Sequence, residues 1–370
     1  MLFRSSGRGA ARPRQFRQAS QTVNLTRRGF LAGAAALQVR RAAGKGERLA
    51  ASLRRYADPL TEREVWRLTD PAVPHHHPQN YQRFASRNNA FLLLARLIEG
   101  QRQAVRLDFS PPRLTQLTEG AGLAPYSLCL APDDRSFFFL QNGRLKQTGL
   151  RTLREREIFQ VEDGWRATGD LGISIDGRFA ALIEMRAADH VAEGGAAERF
   201  RRQYERQPLC RIRVVETVTG KSWIAVEDKA WLTRPQLRPK RDQILYAHEG
   251  PWDQVEARIW LVNLDGKQKQ SLRPRQAPEQ LGNEYWTADG KLVAYVHYPD
   301  HTGRKAAVRA LNPDTREDQV LAPCTQFWHL MGNADHSAIA GSSRSKAGPN
   351  LYVLFPLTQR ESTIDRKSVV

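Results

Sequence analysis

Histidine is the side chain in this sequence best placed to move a proton. His248 opens His248-Glu249-Gly250-Pro251 and directly follows the apolar run Ile244 to Ala247, so it stands at a strand end. A neutral imidazole there can take a proton near pH 7. The competing reading is a histidine bonded locally at a strand edge. His329, after Trp328, has a similar strand context. His76 is the middle one of His75-His76-His77, and strand alternation points it opposite to its two neighbours. A bare histidine run is a weak metal signal, and a solvated loop is the competing reading. Cys129, Cys210 and Cys324 are far apart and form no C-x-x-C pair. They imply neither a disulfide framework nor a zinc site and read as small buried hydrophobes.

The elements that must position these residues recur along the chain. A polar turn is followed each time by a short apolar strand. The turns lie near residues 88, 133, 176, 241, 289 and 335, mostly about 45 apart with one interval near 65. A period in the forties with several short strands per unit predicts an all-β fold, a β-propeller. A four-stranded blade has two apolar faces and cannot bury both alone; packing blades around an axis does so. Asp-Gly type turns supply the positive φ that tight hairpins need. The long interval holds an insertion, 187–207, whose 196–207 part predicts a helix with Phe200 and Tyr204 on one face. Six blade turns are visible. Thr61 to Leu68 is the expected N-terminal contribution to a closing blade. The sequence stops before a partner for it is met, so the last blade is expected to be incomplete. The expected organisation is 1–50 as an export signal and basic segment, 56–360 as the propeller, and 361–370 as a tail without blade pattern.

The net charge is +18, and +12 of it falls in residues 1–55, where Glu47 is the one acid. Without zinc-finger spacing, an aromatic RNA-binding motif or heptads, a nucleic-acid partner is not expected. The remaining +6 favours a polyanionic substrate. Thr26-Arg27-Arg28-Gly29-Phe30-Leu31 resembles a twin-arginine export motif before a short apolar run. The expected partner is the twin-arginine machinery, and the expected location is periplasmic or secreted. If the motif is instead a short basic helix, the protein stays in the cytoplasm. No apolar run reaches the length of a membrane span.

Several stretches together resemble the oligogalacturonate lyase family. They are His248 to Pro251 continuing through Ala257-Arg258-Ile259-Trp260, then Asn283-Glu284-Tyr285-Trp286, Trp328-His329-Leu330-Met331, Tyr81-Gln82-Arg83-Phe84 and Pro208-Leu209-Cys210-Arg211. The resemblance spans about residues 60–358. It implies a seven-bladed propeller that cleaves short oligogalacturonides by β-elimination, with manganese at a central site. The proton beside a uronate carboxylate is weakly acidic. Cationic groups or a metal must stabilise the enolate while a base takes the proton.

On this resemblance, His248 is the base and Arg211 the best-matched arginine for substrate charge. His76, Arg234 and His329 are expected at the substrate. Asn283 stands where the family has a metal-binding histidine. Arg234-Pro235 stands where the family has His-Pro, which removes a base candidate or adds a carboxylate clamp. The family's later Gln-x-x-His-x-His ligands have no counterpart before about residue 360. Little activity is therefore expected from the chain as it stands. The alternative is a non-catalytic propeller that binds sugars or acts as a scaffold.

Overall fold

The computed structural model describes residues 44–57, 62, 64–300, 305–324, 327–343 and 351–365. The twin-arginine motif lies outside the described residues. Six antiparallel sheets follow one another along the chain, each a meander whose first strand is innermost. The six first strands are His75–His76, Cys129–Leu130, Trp165–Ile173, Leu232–Leu237, Gln280–Trp286 and Phe327–Gly332. Blades two to six have four strands. Blade one has a fifth, Arg48–Leu49, paired outside Pro112–Gln116. Strand Glu64–Arg67 forms where a closing contribution was expected, paired with Arg54–Ala57 in a separate two-stranded sheet.

One expectation is corrected at the C-terminal end. Arg360–Asp365 is the outer strand of blade six, paired with Leu351–Phe355, so 361–365 is blade and not tail. Blade six is thus a full four-stranded sheet among the described residues. The Glu361-Ser362-Thr363 stretch carries no apolar alternation because an outer edge strand packs little.

The six turns behave alike. Asn89, Asp134, Gly177, Lys240, Gly290 and His336 all have φ between +53° and +75°. In four of the turns the Asp133, Asp176, Asp289 or Asp335 carboxylate accepts the backbone N–H two residues on, at 3.0 Å. This side-chain bond stabilises the reversal locally. The strands after the turns then alternate between two cores. Phe137 and Phe139 pack with Leu93 and Ala95 of blade one. Phe138 and Leu140 pack with Leu171 and Leu182 of blade three. The pattern repeats at later boundaries: Tyr246 packs towards blade three, Leu245 towards blade five. Apolar surface buried at these boundaries stabilises the packing by roughly 25 cal/mol per Å².

The insertion folds as predicted, with the helix at Ala196–Glu205. Phe200 meets Trp231 at 5.2 Å between centroids. Tyr204 lies over Gly250, where a Cβ would come 2.5 Å from its ring. The helix therefore covers the top of blade four, and Gly250 is glycine because the ring sits on its backbone.

Candidate active site

The first strands of blades three, four and five break register at matching places. The breaks fall between Ala167 and Leu171, Thr233 and Gln236, and Gly282 and Tyr285. Each break contains a left-handed residue: Gly169 at +103°, Arg234 at +57° and Asn283 at +57°. Blade six has a similar break between Phe327 and His329. Bulges re-aim side chains, and at these four places they do so on the innermost strands, around the axis. Asparagine tolerates the left-handed region; arginine rarely adopts it. The strain held at Arg234 is of the kind that clusters at functional sites.

Arg234 is buried, with its Nε 3.0 Å from the carboxylate of Glu284. Its Nη2 donates to the Glu284 carbonyl at 3.2 Å and to Asn80 Oδ1 at 3.5 Å. The guanidinium lies 4.9 Å from the centroid of the Tyr81 ring. Glu284 is 0% exposed and also accepts from Arg258 Nε at 3.0 Å. Arg258 in turn forks onto Glu249 at 2.8 and 3.2 Å. Burial opposes charge on Glu249, but Arg258 and the Gly250 N–H hold its carboxyl below the usual range. A chain of alternating charge thus runs from Arg234 through Glu284 and Arg258 to Glu249 and ties blade four to the first strand of blade five.

The segment after His77 crosses this centre. Asn80 Nδ2 donates to Leu330 O of blade six at 2.8 Å. Tyr81 donates to Asp170 of blade three at 3.2 Å, and Gln82 donates to Leu171 O. Blade one thereby reaches blades three, four and six, and its crossing segment partitions the channel. Gly172 allows the close approach at blade four: a Cβ there would sit 2.2 Å from Pro235 O. Burial raises the Asp170 carboxyl, against the pull of Arg234. Asp170 ends a groove of about 700 Å³ that is also lined by Tyr126, Trp165 and Arg166.

His329 opens to solvent beside this centre, and its Nδ1 lies 3.4 Å from Ser342 Oγ. Protein packed around the imidazole pulls it down to about 4, with positive charge from Arg234 and His77 adding to the effect. It is therefore neutral at pH 7. Asn283 is 5% exposed, and its Nδ2 has no hydrogen-bond partner.

The sequence-derived candidates separate into two groups. Arg234, Asn283 and His329 lie on the bulged first strands. His248 points elsewhere: its ring stacks on Trp260 at 4.6 Å, and its Nε2 is 3.7 Å from Asp228 on the outer strand of blade three. Alternation sends Glu249, the next residue, towards the axis network instead. This corrects the expectation that His248 faces the reacting centre. Arg211 is corrected as well. Its Nε meets Glu184, its Nη2 meets Glu162 at 2.8 Å, and its face covers Trp165 at 3.9 Å. Two of its three nitrogens are thus held by carboxylates, which answer its charge within blade three. His76 stands behind the groove wall, in edge contact with Tyr126 at 5.7 Å. His77 is the member of the histidine run whose charge reaches His329.

Glu284, Arg258, Glu249, Asn80 and Tyr81 were not singled out as site residues from the sequence. Buried charges need partners, and Glu284 between Asn283 and Tyr285 in an apolar strand was the available signal. Burial pushes the Cys129 thiol up to about 11 and Cys210 up to about 12, so neither is a nucleophile near neutrality.

The fold and centre define a β-propeller with an axial site that combines a guanidinium, a neutral imidazole and an unpaired amide. Comparison with known proteins gives the particular family. The oligogalacturonate lyase family model matches residues 43–349. An oligogalacturonide lyase of Pectobacterium atrosepticum is 33% identical over 303 residues, covering 80% of this chain and 76% of the relative. An oligogalacturonate lyase of Dickeya dadantii is 31% identical over 299 residues, with the same coverage. A solved oligogalacturonate lyase in complex with manganese superposes with a TM-score of 0.83 at 31% identity, covering 88% of this chain and 87% of that one. The chain belongs to the oligogalacturonate lyase family.

Proposed function

We propose that this protein cleaves short oligogalacturonides by β-elimination at the axial site. Arg234 binds the uronate carboxylate and stabilises the charge that develops when the neighbouring proton leaves. His329 takes that proton, and the glycosidic oxygen departs to leave an unsaturated uronate. The observation that carries this assignment is a strained, buried Arg234 on the same set of bulged first strands as His329. This replaces His248 as the proposed base and Arg211 as the proposed clamp.

Manganese is the ion proposed for the family member, as it is held by the solved relative. Asn283 and His329 are donors of a kind manganese accepts. They do not fit in number, because among the described residues no three His, Cys, Asp or Glu side chains come together to hold a metal. No step is therefore drawn through the ion. The test is the ultraviolet absorbance of the unsaturated product from digalacturonate, with and without added manganese. Weak turnover is expected from the wild-type chain, its donors being too few for the ion, and its loss from His329→Ala. Full turnover by His329→Ala would remove the base assignment.

The Arg27-Arg28 motif is proposed to route the protein to the twin-arginine machinery and the periplasm. It is supported by the basic stretch before the motif and the apolar run after it. A reporter fused to residues 1–50 that stays in the cytoplasm would contradict that route.

A further inference from the structure

β-Elimination needs two proton transfers, and His329 makes one of them. When the C4–O bond breaks, the departing glycosidic oxygen takes the bonding electron pair with it. A bare alkoxide is a poor leaving group, so an acid within reach of that oxygen speeds the step.

Asp170 stands in the right place. It lies in the bulge of the first strand of blade three, between Ala167 and Leu171, as Arg234 lies in the bulge of blade four. On one side it ends the groove of about 700 Å³. On the other side its carboxyl accepts from the backbone N–H of Arg234. Tyr81 closes the triangle: its Oη donates to Asp170 Oδ1 at 3.2 Å, and its ring centroid lies 4.9 Å from the Arg234 guanidinium. Asp170 is thus the point where the groove meets the clamp. With one uronate on Arg234 and the second sugar in the groove, against Tyr126 and Trp165, the linking oxygen falls at this junction.

The hydrogen bonds leave room for a proton. Tyr81 occupies Oδ1. Oδ2 faces Thr168 Oγ1 at 3.2 Å, and that hydroxyl is also 3.4 Å from Ile183 O. A hydroxyl has one proton to donate. When Thr168 gives it to Ile183 O, Oδ2 can hold its own. Burial raises the Asp170 carboxyl, although Arg234, Thr168 and Tyr81 each pull it down. The neighbouring Cys210 thiol, pushed up to about 12 by burial, stays neutral.

We propose that Asp170 gives its proton to the departing glycosidic oxygen while His329 takes the one beside the carboxylate. The C5–H electron pair becomes the C4–C5 double bond, the C4–O pair stays on oxygen, and the proton from Asp170 makes that oxygen a hydroxyl. The Asp170 carboxylate and the His329 imidazolium then exchange protons with water and return to their starting states. The assignment rests on the lyase reading. The competing role for Asp170 is a counter-ion that does no more than hold Arg234.

Two substrates separate these roles. Digalacturonate needs a proton on its leaving oxygen; galacturonate carrying fluorine at C4 expels fluoride, a weak base that needs none. Asp170→Asn is expected to slow release of unsaturated uronate from digalacturonate by about 10²–10⁴-fold. Fluoride release is expected to stay within a fewfold of wild type, which also shows that the variant is folded with its clamp in place. Tyr81→Phe keeps a ring against Arg234 and removes one bond that favours the Asp170 carboxylate. The alkaline fall in digalacturonate turnover is therefore expected to move to higher pH. Equal losses on both substrates in Asp170→Asn would overturn the proposal in favour of a counter-ion. No loss on either would overturn it too, as would an alkaline limb unmoved in Tyr81→Phe. Each of these, with an active wild type, sinks this assignment alone; a wild type inactive on both substrates sinks the lyase reading and the acid with it.

Discussion

In blade three, Arg211 and Arg213 face Glu184 and Glu162; at the axis, Arg234 and Arg258 face Glu284 and Glu249. Each cluster pairs two arginines with two glutamates, and each has one fully buried carboxylate, Glu184 or Glu284. The wiring differs. In blade three both arginines reach both carboxylates, so every charge is answered twice. The cluster staples two adjacent strands to the loop that carries Glu162. At the axis Arg258 bridges the two glutamates, while Arg234 reaches Glu284 alone and turns its remaining surface to Asn80 and Tyr81. A guanidinium shared between two carboxylates has its charge answered; one that meets a single carboxylate keeps charge to offer a ligand. Residue type does not distinguish these roles, but the number of carboxylates met does.

The comparison can be broken at either end. Glu184→Ala should cost about 3–5 kcal/mol of stability, because it leaves two buried arginines facing a single exposed glutamate. A lowered urea midpoint with little change in KM of the remaining folded enzyme is the expected pair of results; an unchanged midpoint would show that the cluster is no staple. Arg234→Ala should reduce kcat/KM on digalacturonate by about 10²–10³-fold, the loss seen when one preorganised charge-stabilising donor is removed. Near-normal kcat/KM in that variant would mean that the axis cluster is as structural as the other.

Two further measurements sharpen the contrast. Partial desolvation by the protein on one side of the His329 imidazole lowers it to about 4, and Arg234 and His77 add to the effect. In the unfolded chain it would titrate near 6.5. The unfolded state therefore binds more protons between these values, and stability falls as pH drops from about 6.5 towards 4. An NMR titration of the His329 ring should give a midpoint near 4 in the wild type, shifted upward in Arg234→Met. A wild-type midpoint near 6.5 would remove the ring from the influence of the axis cluster. The smallest effect is expected from His248→Ala. It removes a stack on Trp260 worth about 0.5–1.5 kcal/mol and should leave kcat within a fewfold of wild type. A loss of a thousandfold would return His248 to the centre of the chemistry.

Much of the fold was readable in the sequence. Aspartates at the turns, and apolar runs directly after them, announce hairpins through short-range forces. The side-chain bond from Asp to the N–H two residues on depends on nothing distant. The helix at Ala196–Glu205 was readable for the same reason, from Phe200 and Tyr204 four apart. The end of blade six was not. Edge strand Arg360–Asp365 is fixed by pairing with Leu351–Phe355 and not by its own pattern.

The site divided along the same line. The sequence by itself determined that histidines and arginines stand at strand ends and on strands, and its motifs carried the family. It did not determine which of them share a space. Neighbouring residues on a strand point to opposite faces, so His248-Glu249 sends a histidine to the flank and a glutamate to the axis. Bulges shift that alternation by one, and this brings Arg234 and Asn283 to the axis. Tertiary structure decided the rest, by threading Asn80 to Gln82 across the channel and by answering Arg211 with two carboxylates. The physical reason is range: turns and strands are set by neighbours in sequence, whereas a charge is set free or silenced by partners up to 154 residues away, as Asn80 is from Arg234.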